Sequence, residues 1–254
     1  MKLLTLARDL RRRRARERQQ LFVAEGVRAV EELLRSPLRV RGILVAPQLA
    51  GALRGAALLD TARRSGAELV EVDEREFASA AETDSPQGVL AIGEIPDAKL
   101  SDLPLPDRAR LVILDAVQDP GNVGTILRTA AALDATAVLA MPGTVDLWNA
   151  KVVRSAMGAL FHRPAFICTW AELDTFLRPL TNAVALWGAD AAGTPLDAMT
   201  PPARLGILVG NEGAGLTPEG LARVEHRVSL PISSTVESLN VAVATGILLY
   251  QLRT

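Results

Sequence analysis

Two kinds of hydrophobic pattern alternate along the chain. Over residues 25–36, Val27, Val30, Leu33 and Leu34 recur at the spacing of an amphipathic helix. Short apolar runs follow. Residues 41–46 predict a strand, 52–64 a helix, and 68–72 and 88–92 two more strands, together a small α/β module. Residues 95–108 contain Pro96, Pro104 and Pro106 and show no periodicity, which is the composition of a linker. Strands and helices then alternate. Strands are predicted at 111–114, 137–140, 165–168, 184–187, 205–209 and 228–230. Helices are predicted at 123–133, 150–160, 171–177, 218–224 and 238–252. Apolar runs separated by helices describe a parallel sheet buried on both faces, so the fold class is α/β.

Composition narrows the chemistry. Of the 254 residues, 49% are hydrophobic and 4% aromatic, so the core is mainly Ala, Leu and Val. A single cysteine, Cys168, excludes an internal disulfide framework and a cysteine-based zinc cluster, and it reads as a small buried hydrophobe. His162 and His226 are too few for a His-rich metal site, so no metal is expected. No apolar run approaches the about 18 residues of a membrane span, and charge follows the first leucines at once. No membrane association and a reducing, cytoplasmic setting are the expectation. The net charge of −1 conceals an asymmetry: residues 1–18 carry eight Lys or Arg against Asp9 and Glu17. This segment, with Arg11, Arg12, Arg13 and Arg14 at its centre, reads either as a grip on an anionic partner or as a solvated helix face.

Three loops carry the candidate chemistry. Residues 119–124 (Asp-Pro-Gly-Asn-Val-Gly), 210–215 (Gly-Asn-Glu-Gly-Ala-Gly) and 230–241 (Leu-Pro-Ile-Ser-Ser-Thr-Val-Glu-Ser-Leu-Asn-Val) each follow a strand pattern and precede a helical one. Loops of that kind form one crevice at the carboxyl ends of parallel strands. In the first, Asn122 reads as a helix cap, and Arg128 is either an anion contact or a surface arginine. The second is neither G-x-G-x-x-G nor a Walker loop, and Glu212 would repel a pyrophosphate, so NAD and ATP are disfavoured. In the third, Ser238 reads as the cap of the last helix.

These residues resemble a known family. Asn122-x-Gly124-x-Ile126-x-Arg128-Thr129-Ala130, Leu208-Val209-Gly210-Asn211-Glu212-Gly213-x-Gly215-Leu216 and Pro231 followed by Ser238-Leu239-Asn240-Val241 are similar to the three ordered motifs of the SpoU (TrmH-like) RNA ribose 2′-O-methyltransferases, within the SPOUT superfamily. Residues 153–160 resemble the segment between the first two motifs. Phe22–Gly26 and Ser85–Val89 more loosely resemble the RNA substrate-binding domain often fused in front. The implied organisation is a substrate-binding domain over 1–97, a linker over 98–108 and a methyltransferase domain over 109–254. The resemblance also implies a C-terminal trefoil knot, a homodimer and S-adenosylmethionine as cofactor. The cofactor-binding set would be Trp187, Gly188, Val209, Gly210, Asn211, Gly215, Leu230, Ile232, Ser238 and Leu239. The catalytic set would be Arg128, Asn122, Glu212, Ser238 and Asn240, with Arg128 and Arg11–Arg14 contacting RNA. Ser234 stands where the family often has glycine.

The implied reaction is in-line displacement, in which a ribose 2′-oxygen attacks the methyl carbon of a sulfonium. A guanidinium stays protonated, so Arg128 fits phosphate binding and oxyanion stabilisation better than a base role. Asn122 and Asn240 would orient the ribose or Arg128. Glu212 is either a base or a structural acceptor of loop amides. Ribosomal RNA is expected as the substrate before transfer RNA, because a fused module gives a second grip on structured RNA. A non-catalytic RNA-binding protein on the same fold is the alternative, opposed by the intact motif residues.

Overall fold

The computed structural model describes residues 2–178, 183–233 and 235–253, which form two compact units. Ser234 lies outside the described residues. The first unit comprises Met1–Asp97 and Asp146–His162, the second Ala98–Val145 and Arg163–Thr254.

The first unit begins with α1 (Lys2–Asp9) and α2 (Arg13–Gln19), where the hydrophobic pattern predicts no element. Leu3, Leu4, Ala7 and Leu10 are buried with Phe77, Leu90 and Ile92, so the basic segment supplies part of the core. There follow β1 (Leu21–Glu25), α3 (Val27–Arg35), β2 (Val40–Val45), α4 (Gly55–Arg64), β3 (Glu68–Glu71), α5 (Glu74–Ala80) and β4 (Val89–Glu94). The sheet runs β1-β4-β2-β3, with β4 antiparallel to both neighbours and β3 parallel to β2. Periodicity does not reveal residues 21–25 because all five side chains of β1 are buried, which erases the alternation of a half-exposed strand. Nor does it reveal α5, a short helix that starts from a capping box between Asp73 and Glu76.

The second unit is built on β5 (Ala109–Leu114), α6 (Pro120–Ala132) and β6 (Ala137–Ala140). After β6 the chain contributes α7 (Ala150–Ser155) and α8 (Ala159–His162) to the first unit. It then adds β7 (Ala165–Ile167), α9 (Trp170–Leu177), β8 (Ala185–Pro195), β9 (Arg204–Val209), α10 (Pro218–Leu221), β10 (His226–Ser229) and α11 (Val241–Leu252). All six strands are parallel, in the order β10-β8-β9-β5-β6-β7. The expected doubly covered sheet is present: all six residues of β5 are buried.

Three expectations are corrected. The presumed linker folds with the second unit, because Leu100 and Leu103 are buried in its core beside Leu111 and Ile113. The single helix expected at 150–160 is two helices, since Met157 (φ 53°) and Gly158 (φ 91°) turn the chain to the left-handed region. Residues 146–162 also pack with the first unit rather than with the rest of 109–254. Within that unit the Phe22 ring lies 4.6 Å from Trp148 and 5.5 Å from Phe161. The buried Arg16 guanidinium donates to Asp146 Oδ2 at 2.6 and 2.8 Å, and to the carbonyls of Leu10 and Arg11.

Candidate active site

The second unit gathers the three candidate loops beyond the carboxyl ends of β5, β9 and β10, as parallel strands require. The first loop is shorter than its sequence implies. Asp119, not Asn122, caps α6: its side chain accepts the Asn122 N–H at 2.8 Å, with Pro120 in the first turn where a missing N–H costs nothing. Asn122 is thereby held within the first turn of the helix.

Asn122 links the three loops. Its Nδ2 donates to Glu212 Oε1 at 3.0 Å, and its Oδ1 accepts from Asn240 Nδ2 at 3.0 Å. Glu212 further accepts the Gln118 and Asp119 N–H groups at 3.4 and 3.3 Å. Burial works against the Glu212 charge, but hydrogen bonds from Asn122 and nearby amides outweigh it and hold the carboxyl below its ordinary pKa. A carboxylate so held is a weakened base and a strong acceptor. Asn240, not Ser238, caps α11: its Oδ1 accepts the Ala242 and Val243 N–H groups at 2.9 and 3.3 Å. Ser238 is exposed and, among the described residues, makes no side-chain hydrogen bond.

The 210–217 loop is tightly closed. Asn211 and Gly215 exchange backbone hydrogen bonds at 2.8 and 3.0 Å, and Gly215 has φ 71°. A Cβ on Gly210 would lie 2.3 Å from the Gly215 carbonyl carbon, so only glycine lets the loop fold onto itself. The Asn211 side chain is consumed internally, accepting from Gly213 and Ala214 and donating to the Ala116 carbonyl. At the far end, Thr217 caps α10 and bonds Asp115. Burial pushes the Asp115 carboxyl pKa up, only partly offset by the Thr217 hydrogen bonds, and Glu219 adds to the rise. Neither Asp115 nor Thr217 stands out in sequence, because an Asp after a strand and a Thr before Pro have ordinary capping roles.

The other candidates divide into exposed and packed groups. Pro231–Ser233 and Thr235–Ser238 are exposed, with Ile232 and Val236 presenting apolar surface to solvent. Leu230 and Leu239 are half-buried. Trp187 and Val209 are buried, the Trp187 ring meeting His226 edge-on at 6.0 Å. Gly188 is buried where a Cβ would lie 2.6 Å from Leu216, a packing demand for glycine. Arg128 is exposed on α6 and makes no hydrogen bond or ion pair among the described residues, so nothing joins it to Asn122 or Asn240. In the first unit, Arg11, Arg12, Arg13 and Arg14 are all exposed.

An exposed loop with apolar side chains accompanies a closed glycine loop. Known proteins identify the family. Residues 109–250 match the model of the SpoU rRNA Methylase family, and residues 5–91 that of the MRM3-like substrate binding domain. The chain is 34% identical over 248 residues to the 23S rRNA (guanosine(2553)-2'-O)-methyltransferase RlmP of Bacillus subtilis, covering 97% of this chain and 94% of that one. It is 28% identical to the 23S rRNA (uridine(2479)-2'-O)-methyltransferase of Streptomyces viridochromogenes, over 94% of this chain and 84% of that one. Among solved structures, the SpoU methyltransferase AviRb from Streptomyces viridochromogenes in complex with AdoMet superposes with a TM-score of 0.89 at 27% identity, covering 99% and 97% of the two chains. An AdoMet-bound rRNA methyltransferase from Sinorhizobium meliloti gives 0.84 at 28% identity, covering 99% and 94%. The chain belongs to the SpoU rRNA methylase family of S-adenosylmethionine-dependent RNA ribose 2′-O-methyltransferases.

Proposed function

We propose that this protein methylates a ribose 2′-hydroxyl of large-subunit ribosomal RNA, as a cytoplasmic homodimer with a C-terminal trefoil knot. The observation that carries the site is the Asn240–Asn122–Glu212 chain of hydrogen bonds, which ties the three motif loops of one unit together. The names of the relatives from Bacillus subtilis and Streptomyces viridochromogenes support 23S-type RNA as the target. The match of residues 5–91 to a substrate-binding domain supports the first unit as the second grip on that RNA. The lone buried Cys168, its thiol pushed up to about 12 by burial and then by Glu172, is consistent with a reducing compartment.

When bound, S-adenosylmethionine supplies an electrophilic methyl group and a leaving group activated by its positive charge. Gly210, Gly215, Leu230, Ile232 and Leu239 would hold it through backbone groups and apolar contact, with Val209, Asn211, Trp187, Gly188 and Ser238 shaping the loops around it. Asn122 has one Nδ2 proton left after bonding Glu212, so it can position the ribose. Arg128 is unencumbered and can take the neighbouring phosphate and the developing oxyanion. Glu212 orients Asn122 rather than removing the proton, since its hydrogen bonds favour the charged form it already has.

Mapping ribose 2′-O-methylation across rRNA and tRNA, with and without this gene, tests the reading. Loss of one rRNA methylation, restored by the purified protein and S-adenosylmethionine, is expected. A lost methylation in tRNA alone, or none at all, would overturn the substrate assignment.

A further inference from the structure

Asp115, immediately after β5, is fully shielded from solvent. An uncompensated buried carboxylate is costly, so its partners matter. Among the described residues, all its side-chain hydrogen bonds come from Thr217. The Thr217 N–H donates to Oδ2 at 2.7 Å, and Thr217 Oγ1 lies 3.0 and 3.1 Å from the two carboxylate oxygens. That hydroxyl also accepts the Gly220 N–H at 3.1 Å. A hydroxyl has one proton and two lone pairs, so the proton goes to Asp115 and a lone pair to Gly220. The fit admits no slack: a Cβ on Gly220 would lie 2.3 Å from Asp115 Oδ2. The next residue, Ala116, sits at φ 58° and offers its carbonyl to Asn211 Nδ2 at 3.0 Å. Two consecutive residues at the end of β5 therefore grip the 210–217 loop at its entry, through Asn211, and at its exit, through Thr217.

We propose that Asp115 and Thr217 are positioning residues for methyl transfer: they clamp the 210–217 loop in the shape that holds S-adenosylmethionine. This rests on the placement of the cofactor against the 209–215 and 230–239 loops. The clamp acts on cofactor binding more than on the chemical step. Its loss therefore raises KM for S-adenosylmethionine while kcat at saturating cofactor stays within a few-fold.

The test pairs two Thr217 variants with hydrogen–deuterium exchange, using S-adenosylhomocysteine as the probe. In the wild-type protein the probe should protect amides of residues 210–217 and 230–239. Thr217→Val keeps the side-chain shape but removes the hydroxyl. It should raise the calorimetric Kd about tenfold, the effect of losing one hydrogen bond to a charged group, and speed exchange of residues 211–216 in the free protein. Thr217→Ser restores the hydroxyl and should return both to near wild-type values. Asp115→Asn should fall between the wild type and Thr217→Val. If the probe protects both loops but Thr217→Val binds it as tightly as wild type, the clamp is refuted while the cofactor placement stands. Equal impairment of Thr217→Val and Thr217→Ser refutes the clamp in the same way. If the probe binds without protecting either loop, the placement fails and the clamp fails with it.

Discussion

At the scale of single residues, the site separates side chains that hold the loops from two, Arg128 and Ser238, that make no side-chain hydrogen bond among the described residues. Asn122, Asn211, Glu212 and Asn240 all spend hydrogen bonds on one another or on loop amides. Arg128 spends none among the described residues. Arg128→Ala should therefore abolish methyl transfer and leave S-adenosylmethionine affinity within a few-fold, read by calorimetry alongside a methyl-transfer assay. Arg128→Lys should be nearly as inactive if the planar fork is what grips phosphate and hydroxyl together. Substantial turnover by the lysine variant would mean that charge alone suffices. Glu212 has a pH signature. Its folded pKa is depressed, so its contribution to stability is full above the unfolded value of 4.5 and is lost as pH falls through the folded value. Thermal melts between pH 7 and pH 3 should show Glu212→Gln already weakened at pH 7, with its gap to wild type narrowing below about pH 4.5.

At the scale of elements, the arginine-rich start of the chain is two things at once. Leu3, Leu4, Ala7, Leu10 and Arg16 are interior, whereas Arg11–Arg14 face solvent. Truncating residues 1–18 would consequently cut into the core and could not isolate a role in RNA binding. Point changes can. Arg16→Ala strands buried Asp146 without its cation and should cost about 3–5 kcal/mol in denaturant unfolding. Replacing Arg11, Arg12, Arg13 and Arg14 with Gln should leave that stability nearly unchanged. It should flatten the salt dependence of RNA binding by up to about four in the slope of log K on log salt. An unaltered slope would make those four arginines solvated surface only.

At the scale of the whole molecule, the proposed homodimer can be tested at α11. One face buries Ala242, Thr245, Leu248, Leu249 and Leu252. The other leaves Val243, Ile247 and Tyr250 exposed at i, i+4 and i+7, along a groove of roughly 480 Å³ shared with Thr125 and Thr129 of α6. A helix apolar on both sides is normally covered on both. Sedimentation of the wild-type protein should give a species of twice the 27.0 kDa chain mass. Ile247→Glu with Tyr250→Glu should give the single chain with its helicity intact. A wild-type protein that sediments as one chain would remove the homodimer.

The sequence alone determined the α/β class, the parallel order of layers and the three motif loops, because apolar runs and glycine turns are local properties written in residue type and spacing. It also carried the resemblance on which cofactor and reaction were expected. Tertiary structure decided what depends on residues far apart in the chain. Asn122, Glu212 and Asn240 are joined by hydrogen bonds across 90 and 118 positions, which sets the site's arrangement. Leu100 and Leu103 join a core although the prolines around them, Pro96, Pro104 and Pro106, read as linker, since burial depends on what packs above them. Arg16 and Asp146 become a buried pair across 130 positions, a relation that no window of sequence contains.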